Sequence, residues 1–172
     1  MMKHNTLESV YRKYMPDLYR YLRTLCGDDA GAAEDLVQET FYRAYLHLEN
    51  YKDEKVKPWL FRVAYNAFID MKRKEKRSTI SSEEFFHRLP DDDRKGPESV
   101  VLQKEDHDVL MAWIAQLPEL QKQALVLYDL HQLSYQESAD VMGITLSHFK
   151  ILLFRARQQL RKNKERNDQN DR

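Results

Sequence analysis

Glycine and proline are scarce in this chain, at 4 and 5 of 172 residues. Tight turns depend on these two residues, so the shortage argues against a turn-rich β sandwich and for helices. No apolar/polar alternation runs long enough to suggest a sheet. The fold class read from the sequence is therefore all-α. Cysteine is scarcer still. Cys26 stands alone, which excludes an internal disulfide and any zinc site built on cysteines. The six histidines (His4, His47, His87, His107, His131 and His148) are scattered, and none forms an i, i+4 pair around a glutamate, so no metal site is expected. A Gly-rich phosphate loop is missing as well. Acidic pairs are plentiful, but none sits in an apolar context that would perturb a pKa. No catalytic residue, cofactor or small-molecule substrate is expected, and the protein reads as a non-enzyme. Apolar runs such as Ala124–Tyr128 are too short to cross a bilayer. The opening Met1-Met2-Lys3-His4-Asn5 lacks the apolar core of a signal peptide, so the expected compartment is the cytoplasm.

Hydrophobic residues at 42% allow a packed core, and charged residues make up 33%. The formal charge of zero conceals a pattern. Residues 1–80 carry 15 Lys/Arg against 12 Asp/Glu, residues 81–108 carry 4 against 9, and residues 109–172 carry 9 against 7. Two mildly basic blocks flank an acidic connector.

In the first block, Asn5 and Glu8 can form a capping box for a helix whose inner stripe is Leu7, Val10, Tyr11, Tyr14, Leu18, Tyr21, Leu22 and Leu25. Gly27-Asp28-Asp29 ends it and caps a second helix, lined by Ala33, Leu36, Val37, Thr40, Phe41, Ala44, Tyr45 and Leu48. Asn50–Asp53 breaks the pattern, and Pro58 suits the first turn of a third helix. Leu60, Val63, Ala64, Ala67, Phe68 and Met71 form its inner stripe, with Arg62, Tyr65, Asn66, Ile69 and Arg73 on the outer side. Five cations in six residues, Lys72–Arg77, close it. These three helices predict a first domain over residues 1–78. Residues 79–97, with Asp91-Asp92-Asp93 and Gly96-Pro97, read as a flexible acidic linker.

A second helical domain is predicted over residues 98–162. Val101, Val109, Leu110, Trp113, Ile114 and Leu117 mark its first helix, and Pro118 opens another through Leu120, Ala124, Leu125, Leu127 and Tyr128. Ser134 and Glu137 then form a capping box, Gly143-Ile144-Thr145 a tight turn, and a basic helix runs from Leu146 to about Arg161. Short helix, glycine-containing turn and long helix make a helix-turn-helix. The tail 163–172 is polar and expected to be disordered.

Three surfaces carry functional potential. On the last helix, Leu146, Phe149, Leu153, Ala156 and Leu160 can face the core, leaving Ser147, His148, Lys150, Ile151, Phe154 and Arg155 outward. Cations there can neutralise phosphates or pair with guanine, and apolar groups can touch thymine methyls; an amphipathic helix packed on an unseen neighbour is the plainer reading. On the third helix, Trp59, Tyr65, Asn66 and the terminal cations suit unpaired bases. Alternatively, Trp59 is core and the cations merely oppose the helix dipole. On the second helix, Asp35, Gln38, Glu39, Tyr42 and Arg43 form a polar face that suits a protein partner or simply solvent.

The stretches Ala33–Phe41 and Lys57–Asn66 resemble the first conserved domain of extracytoplasmic-function (ECF) sigma factors of the sigma-70 type. Leu117-Pro118, Leu133–Ala139 and Phe154-Arg155-Ala156-Arg157 resemble their second, and the likeness spans about residues 7–162. The resemblance implies a promoter-specificity subunit that binds core RNA polymerase. It places the β′ clamp-helix contact on Asp35, Gln38, Glu39 and Arg43, and a further polymerase contact on the β flap. It assigns melting and reading of the -10 element to Asn50, Tyr51, Lys52, Trp59, Asn66, Lys72, Arg73 and Lys76. It assigns the -35 element to Ser147, His148, Lys150, Ile151, Phe154 and Arg155. The acidic linker would thread the polymerase cleft, imitating nucleic acid. Family behaviour also implies a membrane-bound anti-sigma factor that holds the protein inactive. Many members carry a small polar residue where Ile151 stands and a basic one where Leu152 stands, so the -35 preference does not transfer from them.

The competing reading is a stand-alone helix-turn-helix regulator, which would bind duplex operator unaided and ignore core polymerase. An α-helical enzyme acting on nucleic acid lacks a supported acidic cluster.

Overall fold

The computed structural model describes residues 7–47, 55–81 and 102–172, with side chains over 7–47, 55–78 and 105–172. The proposed Asn5 cap, Leu48, residues 50–53, Val101 and most of the acidic connector lie outside them.

The described residues are helical, with no strand among them. The first lobe comprises α1 (Leu7–Cys26), α2 (Ala30–His47) and α3 (Val56–Ser81). The second comprises α4 (Leu102–Ala115), α5 (Glu119–Leu125), a π-helical turn (Val126–Leu130), α6 (Tyr135–Met142) and α7 (Leu146–Asn170). Each local boundary has a chemical cause. Gly27 takes φ +64°, a left-handed value that ends α1 without steric cost. Asp29 Oδ1 then accepts the Ala32 N–H at 2.9 Å, satisfying an orphan donor at the start of α2.

In the first lobe the three helices pack mutually. Val10, Leu18, Leu22 and Leu25 of α1, Ala33, Leu36, Val37, Phe41 and Ala44 of α2, and Leu60, Ala64, Ala67 and Phe68 of α3 are buried. Tyr45, expected on the inner stripe, is 64% exposed. Steps of four residues drift around a 3.6-residue helix, so the stripe that holds at Ala44 has turned away by Tyr45.

Helix α3 corrects the sequence reading more deeply. Tyr65, expected outward, is 8% exposed, and Phe61, not anticipated as core, is fully buried. A single amphipathic stripe assumes one neighbouring surface. Here α3 has two, because it packs against α1 and α2 and also against α6 of the second lobe.

The second lobe centres on α5 and the π turn, which share a core with α6 and α7 through Ala124, Leu125, Val126, Leu127, Ala139, Phe149, Leu153 and Ala156. Val109, Leu110 and Leu120, placed on inner stripes by periodicity, are exposed by 39%, 38% and 42%. Helix α4 meets its lobe chiefly along α7, so the early part of its stripe is left uncovered. The tail also differs from expectation, since α7 continues to Asn170. Residues 161–170 contain no Gly or Pro, the Gln159 amide donates to Asn163 Oδ1 at 3.1 Å, and a shallow groove brings Asn163, Arg166, Asn167 and Asn170 beside Trp113 and Gln116.

The lobes meet. Tyr21, Phe61 and His131 form an aromatic trio with ring centroids 4.9, 5.1 and 5.6 Å apart. Lys57 Nζ donates to the His131 carbonyl at 2.9 Å.

Candidate nucleic-acid interface

The helix-turn-helix is built by short-range chemistry. Ser134 Oγ accepts the Glu137 N–H at 3.0 Å, and Glu137 Oε1 accepts the Ser134 N–H at 2.9 Å, completing the capping box of α6. Gly143 ends α6 at φ +67°. Thr145 Oγ1 accepts the His148 N–H at 3.2 Å and starts α7. Phe149, Leu152, Leu153 and Ala156 bury one side of α7, while Ser147, His148, Lys150, Ile151, Phe154 and Arg155 are all exposed. Phe154 is 66% exposed and Ile151 49%, two large apolar side chains one turn apart on the same face. Leu152 is core, so a basic side chain at that position would point into the lobe.

Periodicity missed a chain of contacts flanking this face. Arg157 makes a two-pronged ion pair with Asp129, Nη2 to Oδ1 at 2.6 Å and Nε to Oδ2 at 3.0 Å. Its guanidinium lies 5.3 Å from the Tyr128 ring, which stacks on Tyr135 at 4.4 Å and 5°. Lys150 Nζ lies 5.7 Å from the Tyr135 ring. The available signal was Arg157 standing seven residues, two helical turns, after Lys150.

On the first lobe, Asp35, Gln38 and Glu39 are exposed on α2, beside Tyr42 at 62%. Arg43 behaves differently. It is half-buried, and its guanidinium donates to Glu39 at 2.9 Å and to Asp70 of α3 at 3.2 Å, cross-linking two helices. These hydrogen bonds, the one to Glu39 foremost, hold its pKa above the ordinary arginine value. On α3, Trp59 is half-buried, whereas Arg62, Asn66, Lys72, Arg73 and Lys76 are exposed. Spacings of three and four place Trp59, Arg62, Asn66 and Arg73 along one face. Lys72 approaches Glu75 at 3.6 Å and lies 5.6 Å from the Phe68 ring. Asn50, Tyr51 and Lys52 lie outside the described residues. No cluster of metal-ligating side chains occurs among the described residues, and no helix among them is long and apolar enough to cross a membrane.

An exposed helix-turn-helix face on one lobe and a basic-aromatic helix on the other define a helical DNA-binding protein of two modules. Sigma-70 region 2 matches residues 10–78, and Sigma-70, region 4 matches residues 107–160. The chain is 43% identical to the ECF RNA polymerase sigma factor SigM of Bacillus subtilis (strain 168), over 91% of this chain and 93% of that one. Among solved structures, the sigma factor RpoE of Bartonella quintana, in complex with the anti-sigma factor NepR, superposes with a TM-score of 0.71. The two are 25% identical, with 90% of this chain and 94% of that one covered. CnrH, solved with the cytosolic domain of CnrY, shares the fold at a TM-score of 0.64 and 18% identity, covering 92% of this chain and 87% of that one. The chain belongs to the sigma-70 family of transcription initiation factors, among the ECF sigma factors. It is an alternative sigma factor, binding core RNA polymerase and promoter DNA to direct transcription initiation.

Proposed function

We propose that the two lobes divide promoter recognition between them. Residues 1–78 hold core polymerase and open the -10 element, and residues 98–162 read the -35 element. Asp35, Gln38 and Glu39 meet the β′ clamp helices, while Arg43 holds α2 against α3 from behind. Asn66, with Trp59 two turns before it on the same face and Asn50, Tyr51 and Lys52 preceding the helix, receives unpaired bases; Lys72, Arg73 and Lys76 hold nearby phosphates. Ser147, His148, Lys150, Ile151, Phe154 and Arg155 enter the major groove at the -35 element, and the second lobe also meets the β flap. A membrane-bound anti-sigma factor keeps the protein inactive until a signal releases it.

The observation that supports this division most directly is the outward face of α7. All six side chains are exposed, and two of them, Ile151 and Phe154, are large apolar groups one turn apart that can meet thymine methyls. Opening the duplex further requires a holder for bases that leave the stack, which an exposed amide beside an aromatic and a basic strip supplies. Asn66→Ala should spare polymerase binding and closed-complex formation while lowering the opened fraction seen by permanganate footprinting. A pre-melted bubble template should restore initiation. Equal opening of linear promoters by variant and wild type would return Asn66 to an ordinary surface role.

A further inference from the structure

We propose that Asp129 is a positioning residue for promoter reading: by clamping Arg157 it holds a cation off the DNA and sets the flank against which Lys150 is presented. The inference rests on the assignment of α7 to the -35 element.

Arg157 and Asp129 are 28 residues apart and belong to different elements, so their two-pronged bond ties the reading helix α7 to the π turn. That turn closes through the His131 N–H to the Val126 carbonyl at 3.1 Å, a five-residue step that shifts the register of the side chains it carries. From Asp129 the contacts run unbroken: Arg157 over Tyr128, Tyr128 stacked on Tyr135, and Lys150 over Tyr135. The links alternate anion, cation, two rings and cation. They border an open groove of about 510 Å³ lined by Tyr135, Lys150, Phe154, Arg157 and Arg161 along the outward side of α7.

Most of this chain lies at or near the surface, where isolated ion pairs contribute little to stability. Its consequence is therefore geometric and electrostatic. Lys150 and Arg157 share a helix face, so an unrestrained Arg157 would sweep the same phosphates. Bound side-on to Asp129 through its Nε–Nη2 edge, the planar guanidinium is held against the π turn with its charge offset by the carboxylate. Asp129 thereby limits the number of cations that α7 offers to any duplex, and a protein that leans less on phosphates discriminates better between sequences.

The test uses holoenzyme reconstituted from the full chain and core polymerase. The probes are a promoter duplex selected from a randomised pool by the wild-type holoenzyme and an unrelated duplex of equal length, both titrated over a range of salt. Asp129→Asn keeps the side-chain size but sets an amide donor against the guanidinium. It should steepen the salt dependence by about 0.9 in log–log slope and raise affinity for the unrelated duplex several-fold, narrowing the preference for the promoter. The Asp129→Asn, Arg157→Gln double variant has the wild-type net charge and should recover the wild-type slope. Arg157→Gln alone should leave the slope unchanged. A slope reduced by about 0.9 in Arg157→Gln would make Arg157 a direct phosphate contact and overturn the clamp. So would an Asp129→Asn variant whose slope and preference match the wild type while only its thermal midpoint falls. Arg155→Ala serves as the separate control. If it leaves promoter affinity intact, the assignment of α7 to the -35 element fails, whatever the clamp does.

Discussion

The Tyr21 hydroxyl donates to Gln123 Oε1 at 3.1 Å, joining α1 of the first lobe to α5 of the second across 102 residues of sequence. Both side chains are fully buried. Burial, with Tyr65 and Glu119 nearby, holds the Tyr21 hydroxyl well above its ordinary pKa, so it remains a donor. The Gln123 amide in turn donates to Glu119 Oε1 at 3.0 Å. Buried polar groups are costly unless each finds its partner, so this pair favours one docking of the lobes over sliding alternatives.

Tyr21→Phe keeps the ring against Phe61 and His131 but orphans Gln123 Oε1. The contact between lobes should weaken by about 1–3 kcal/mol, read from denaturant unfolding or from fluorescence transfer between labels on the two lobes. Adding Gln123→Leu should recover part of the loss. A Tyr21→Phe protein as stable as wild type would show the hydrogen bond to be dispensable.

His131 makes the junction pH-sensitive. Burial pushes its pKa down to about 4, with Asp17 opposing and Lys57 and Arg20 reinforcing the shift. Tyr21 of α1 and Phe61 of α3 are the rings against it. Above the ordinary histidine value near 6.5, the imidazole is neutral whether docked or free, and the contact is unaffected. Between about 6.5 and 4 the exposed state binds a proton that the docked state refuses, so stability is lost as pH falls, by at most about 3 kcal/mol. His131→Asn should flatten that part of the pH profile relative to wild type. Parallel profiles for the two proteins would remove His131 as the cause.

Leu152→Arg would place a cation on the buried side of α7. With Leu152 only 6% exposed, the substitution should destabilise the second lobe by roughly 3 kcal/mol or more, with no gain in promoter affinity. Thermal unfolding and promoter binding of the same preparation check this. A folded variant that binds more tightly would mean that the helix can rotate.

The α2 face should separate into contact and support. Gln38→Ala with Glu39→Lys should weaken association with core polymerase while circular dichroism stays unchanged, because both side chains are exposed. Arg43→Ala should instead loosen α2 against α3, lowering stability by up to about 1 kcal/mol, since it removes one surface pair and one part-buried pair. Normal core binding by the folded double variant would refute the patch.

What the sequence determined by itself is what neighbouring residues can settle among themselves. The Ser134/Glu137 box, Gly143 and Thr145 act within a few positions, so the helix-turn-helix and the outward face of α7 follow from local chemistry. The same holds for the exposed Asp35, Gln38 and Glu39, which lie opposite the stripe that α2 turns to α1 and α3. Tertiary contacts settle whatever the second lobe covers or a distant partner engages. Tyr65 and Phe61 are buried because a second lobe covers α3, Arg43 is engaged because Asp70 lies 27 residues away on another helix, and Arg157 is clamped because the π turn brings Asp129 beside it. Periodicity reports how a helix divides its own surface. It carries no information about how many surfaces will close upon it, because the contact energies that choose them come from residues dozens of positions away.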